Sequence, residues 1–155
     1  MADECVSSHA LQAQRGPDDL WKGADALAID RGSDNEDELY SKSAALQTWL
    51  LGYEFPETVL VVGFKAVHIL TSKKKVQYLE PLKTAENAVL PLVLLTRDKT
   101  DGNAANYESL VGGIRSSHSG ATVATLGKEK PLGDFAAGWR ALDVRIAVEV
   151  LERVL

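Results

Sequence analysis

Residues 49–58 read Trp-Leu-Leu-Gly-Tyr-Glu-Phe-Pro-Glu-Thr, and within these ten positions one structural period ends and another begins. Upstream, Leu39, Leu46, Leu50 and Tyr53 recur near the helical repeat, with Trp49 bordering the same stripe. Gly52 supplies a left-handed stop, and Pro56 forbids the helix from continuing. Ser33-Asp34-Asn35-Glu36 has the form of a capping box and marks the expected start. Downstream, Thr58–Val62 and Ala66–Thr71 are runs rich in β-branched residues around Gly63-Phe64-Lys65, the pattern of an antiparallel hairpin. Trp49, Leu50, Tyr53 and Phe55 straddle the junction of helix and sheet, and the helical spacing predicts that they pack in the core.

The same reading extends in both directions. Asp25–Ile29 is a short apolar run ended by Gly32, a first strand. Ser72 caps a short helix with Val76 and Leu79 inward, ending near Pro81. Val89–Thr96 is a strand that starts after Pro91 or lies at a sheet edge, because proline cannot donate to the ladder. Asp101 or Asn103 caps a helix with Tyr107, Leu110, Val111 and Ile114 on one face, weakened by Gly112-Gly113. A strand at Ala121–Leu126, a helix marked by Phe135, Trp139 and Leu142, and a strand at Arg145–Val150 follow. Val150–Leu155 begins a further helix, and the apolar ending predicts a piece of something larger. Adjacent strands followed by helix–strand units imply an α/β fold: a mixed sheet of about six strands with helices on both faces. Residues 1–18 show no sustained period and are expected to form a flexible or weakly helical arm; residues 19–155 form one domain.

Composition narrows the function classes. The 155 residues are 45% hydrophobic and 25% charged, ordinary values for a globular domain. Cys5 is the lone cysteine, so neither an intrachain disulfide nor a cysteine-based zinc site can form, which fits a reducing compartment. The first residues lack the basic and apolar regions of a signal peptide, and no apolar run approaches a membrane span. The net charge of −5 is uneven. Residues 1–40 hold ten acids against three bases, a balance of −7, while the rest hold 12 acids and 14 bases, a balance of +2. An acidic end attracts basic partners and repels nucleic acid. The chain lacks the strongly basic footprint of an autonomous DNA binder.

Catalytic constellations are missing. His9, His68 and His118 have no metal-ligand spacing, no serine stands in a G-x-S-x-G elbow, and Val111-Gly-Gly-Ile114 lacks the Lys and Ser/Thr of a phosphate loop. No catalytic residue, metal or cofactor is expected. The one basic cluster, Lys73-Lys74-Lys75, is the candidate partner contact, because lysines at a helix start oppose the macrodipole. Contact with phosphate or an acidic patch is one reading. A solvated helix turn contributing little to binding is the other, since three lysines give a weak electrostatic footprint.

Residues 40–58, YSKSAALQTWLLGYEFPET, continuing into His68-Ile-Leu-Thr-Ser-Lys-Lys-Lys-Val76, resemble the N-terminal region of the large subunit of FACT, a nuclear histone chaperone. Asp19-Leu-Trp21 through Asp25–Ile29, and Gly133, Phe135 and Trp139, follow the family more loosely. The resemblance implies the small first lobe of a degenerate fold similar to creatinase and aminopeptidase P, without peptidase activity. It implies weak binding of core histones, nucleosome reorganisation in transcription, replication and repair, and location in the nucleus on chromosomes. An HMG-box subunit would pair through other domains of the full-length protein. Residues 1–18 depart from the family, whose first helix is basic and carries aromatics. The small lobe of an active creatinase-like metallopeptidase and a purely structural oligomerisation lobe are the alternative readings.

Overall fold

The computed structural model describes residues 24–33, 41–84, 90–117, 122–126, 132–140 and 147–150. Among the described residues six strands form one mixed sheet: β1 (Ala26–Arg31), β2 (Thr58–Gly63), β3 (Val67–Thr71), β4 (Leu92–Thr96), β5 (Thr122–Thr125) and β6 (Ala147–Val150). Their order across the sheet is β4-β3-β2-β1-β5-β6. β1 and β2 pair antiparallel, as do β2 and β3, whereas β3–β4, β1–β5 and β5–β6 are parallel. The parallel pairs require crossovers, and the helices α1 (Lys42–Leu51), α2 (Lys73–Lys83), α3 (Ala104–Ser116) and α4 (Asp134–Arg140) lie between strands in the chain.

Alternation along the central strands sends side chains into two cores. On one face Leu27, Ile29, Leu60, Val62, Val67 and Ile69 pack against Leu46, Leu50 and Leu51 of α1 and Leu79 of α2. On the other, Ala26, Ala28, Val59, Val61 and Leu70 pack against Tyr107, Leu110 and Ile114 of α3 and Phe135 and Trp139 of α4. The alanines of β1 leave room on that face for the two aromatic rings of α4. Helices therefore cover both faces, and the expected α/β architecture is present.

α1 begins later than the capping-box pattern predicts. Its described N-cap is Ser41, whose hydroxyl accepts from the Ala44 N–H at 3.2 Å. Asp34–Glu36 lie outside the described residues, and the Ser33 hydroxyl donates to the Leu132 carbonyl. Gly52 ends α1 at φ 82°, donating its N–H to Thr48, as its position predicts. α2 runs two residues past Pro81. In the last turn a proline forfeits one helical hydrogen bond without breaking a long ladder, so the stop falls at Thr84 instead. β4 starts after Pro91 and is a sheet edge, so both consequences of that proline hold.

α3 resolves the choice between two caps. Asn103 occupies the N-cap position at φ 64°, yet its side-chain oxygen accepts from Asp98 N. The Asp101 carboxylate receives a helical N–H instead, that of Ala105, at 3.2 Å. Gly113 is needed for a close approach: a Cβ there would stand 2.6 Å from His68 Cε1, whereas one on Gly112 would meet nothing. Leu142, the arm at 1–18 and residues 151–155 fall outside the described residues, and Val150, expected to begin a last helix, ends β6 instead.

Candidate interaction surface

α1 carries polar groups on its buried side. Ser43, Ala44, Leu46, Gln47, Leu50 and Leu51 are buried. At 100° per residue their arc is centred about 140° from Trp49. Gln47 is fully buried, and its Oε1 accepts the Phe55 N–H at 2.8 Å. That bond ties the chain back onto α1 after the Gly52 turn and carries Phe55 inward, where it is 7% exposed.

The expectation that Trp49, Leu50, Tyr53 and Phe55 all enter the core is therefore half right. Leu50 and Phe55 are buried, but Trp49 is 48% exposed and Tyr53 72%. The cause is physical: Gln47 and Ser43 occupy part of the inward arc, which rotates Trp49 toward solvent. Tyr53 stands beyond the helix stop and meets Phe55 edge-on, ring centroids 6.4 Å apart.

The three lysines divide in the same way. Lys73 and Lys74 are exposed, whereas Lys75 is half-buried and its ammonium donates to the Pro56 carbonyl. Lys75 thus pins the first turn of α2 to the segment that follows Tyr53. α1 ends and α2 starts at the same end of the sheet, where β2 begins and β3 finishes. There Thr58 and Thr71 share a buried hydroxyl–hydroxyl hydrogen bond of 2.8 Å across the hairpin. Two carboxylates in this region already hold arginines: Glu54 pairs with Arg31 at 3.2 Å and Glu57 with Arg97 at 3.1 Å. The Arg97 guanidinium also lies 4.4 Å from the centre of the Phe135 ring.

Tyr78, 70% exposed, was not legible as a surface residue of interest from the lysine run alone. Its place four residues after Lys74, off the Val76–Leu79 stripe, is the signal that could have found it.

His68 lies half-buried on β3 beneath α3, its Nδ1 without a hydrogen-bond partner among the described residues. Desolvation holds its pKa below the ordinary value near 6.5, so the ring is a packed neutral group. Cys5, His9 and His118 lie outside the described residues. Among the described residues no group of three His, Cys, Asp or Glu side chains could hold a metal, and no helix is long and apolar enough to cross a membrane.

The profile of the FACT complex subunit SPT16 N-terminal lobe domain matches residues 7–148. FACT complex subunit SPT16 of Dictyostelium discoideum is 35% identical over 127 residues, covering 79% of this chain and 12% of the relative. That of Mycosarcoma maydis is 40% identical over 119 residues, covering 76% and 11%. The chain thus spans about an eighth of the length of these relatives. The solved N-terminal domain of SPT16 from chickpea superposes with a TM-score of 0.79 at 29% identity, over 96% of this chain and 34% of that one. An Xaa-Pro aminopeptidase from Streptococcus pyogenes shares the fold at a TM-score of 0.57 and 8% identity, over 96% and 90%. On the match over residues 7–148, the chain belongs to the family of SPT16 N-terminal lobes of the FACT complex.

Proposed function

We propose that the chain is a non-catalytic histone- or peptide-binding lobe of a FACT large subunit, acting in the nucleus on chromosomes during transcription, replication and repair. The observation that carries this reading is the family match over residues 7–148. The packing of helices on both faces of the sheet among the described residues supports an exterior binding surface. Core histones are the partners, held weakly by this lobe, and an HMG-box subunit joins through other parts of the full-length protein. The acidic balance of residues 1–40 favours a basic partner by attraction. The lobe works without a metal or an organic cofactor.

The small lobe of an active metallopeptidase is the rival, since the aminopeptidase fold is shared. Sequence beyond Leu155 separates the two: a set of Asp, Glu and His metal ligands in a following lobe favours the enzyme, and a long acidic tail favours the chaperone. For binding itself, the chain is titrated with labelled core histones by fluorescence anisotropy at low and at physiological salt. Saturable binding that weakens as salt rises is expected. Flat curves at low salt overturn the assignment of histone contact to this lobe.

A further inference from the structure

Lys73, Lys74 and Tyr78 project from the exposed side of α2, and Tyr53 is presented by the turn after α1 at the same end of the sheet. We propose that this surface docks a short acidic peptide segment carrying aromatic or aliphatic anchors, a partner chemically opposite to a histone. Three observations fit that occupant. The neighbouring carboxylates Glu54 and Glu57 are already engaged by arginines, and no acidic partner for Lys73 or Lys74 occurs among the described residues. Among the described residues the local charge is therefore positive, although the chain carries −5 overall. Lys74 and Tyr78 are four residues apart on one helix and so lie side by side, pairing an ammonium with an aromatic plate. Lys75, bound to the Pro56 carbonyl, holds α2 and the Tyr53 turn in fixed relation, so the surface is organised before binding.

Exposed tyrosines supply contact area at low entropic cost, and the flanking lysines select acidic sequences and set the orientation. A polynucleotide fits less well: two exposed lysines neutralise few phosphates and offer no further cations along its backbone. A basic histone tail would meet like charge here. Histone contact uses a different part of the lobe.

The test is fluorescence anisotropy with a short labelled peptide rich in Asp and Glu and bearing two Phe residues, titrated with the whole chain. An oligothymidylate and an acidic peptide with Ser in place of Phe serve as comparison probes. Expected is saturable binding of the Phe-bearing peptide, weakened about tenfold by Lys73→Gln/Lys74→Gln and by Tyr53→Ser/Tyr78→Ser. The single substitutions Lys74→Gln and Tyr78→Ser weaken it by smaller factors and serve where a double variant fails to fold, as judged by circular dichroism. No binding, binding unchanged by the lysine and tyrosine variants, equal affinity for the Ser peptide, or tighter binding of the oligonucleotide would each overturn the proposal.

Discussion

Substituting alanine at Gly112 and at Gly113 should move stability in opposite directions, although the two residues are adjacent on α3. Alanine gains about 1 kcal/mol over glycine in a helix interior from backbone entropy alone. At Gly112 that gain is unopposed, because an added Cβ meets nothing within 4 Å. At Gly113 the Cβ would lie 2.6 Å from His68 Cε1 and 2.7 Å from Nδ1. An ordinary contact needs about 3.5–4 Å, so the ring or the helix must shift by roughly 1 Å. His68 sits on a central β3 flanked by β2 and β4, and its ring has α3 above it, so the shift disturbs packing on both sides. Overpacking of this kind costs about 1–3 kcal/mol, which exceeds or cancels the helical gain. Gly112→Ala is therefore expected to raise the urea midpoint and Gly113→Ala to lower it, the two differing by about 1–3 kcal/mol. Adding His68→Ala to Gly113→Ala should remove most of the difference, since the clash is with that ring. The reasoning fails if Gly113→Ala stabilises the chain as much as Gly112→Ala, or if His68→Ala leaves the gap intact.

Other outcomes follow from the same geometry. Trp49→Ala should cost about 1–2 kcal/mol in urea unfolding, less than Leu50→Ala at about 2–5 kcal/mol, despite the larger side chain lost; the reverse ranking would return Trp49 to the core. Gln47→Ala leaves the Phe55 N–H buried without an acceptor and should cost about 2–4 kcal/mol, read from the shift in thermal midpoint. Gly32→Ala places a Cβ 2.1 Å from the Leu132 carbonyl, a backbone atom that cannot rotate away, and should destabilise by about 3 kcal/mol or more. His68 is held below its ordinary pKa near 6.5, so the unfolded chain binds its proton first as pH falls. Stability from this group is full above the unfolded value, declines below about pH 6.5 and levels off beneath the folded pKa; His68→Gln should flatten that part of the stability–pH curve.

The hairpin, the edge position of β4 and the helical cover on both faces were legible because they rest on local rules. β-branched runs, one proline and the alternation of apolar residues carry them without reference to distant contacts. The orientation of α1 was not legible. A polar Gln47 enters the core by accepting a main-chain N–H eight residues onward, a bond that depends on the Gly52 turn being already made. Periodicity assigned Trp49 inward on hydrophobicity alone, and the Gln47 bond turned it out. The division of the lysine run was hidden for the same reason: only folding brings the Pro56 carbonyl to Lys75 and leaves Lys73 and Lys74 in solvent. Arg140 gave no sequence signal either, although its bidentate pairing with Asp30, at 2.6 and 3.2 Å, fastens α4 to β1 across 110 residues.

The central claim, that this lobe is a binding module whose partner is a histone, is tested most directly by amide-resolved NMR of the isotopically labelled chain during titration with core histones. The account predicts saturable shifts at low salt, confined to surface amides, that shrink as salt rises while the β1–β2–β3 amides stay in place. Spectra that do not change at any histone concentration at low salt would contradict it.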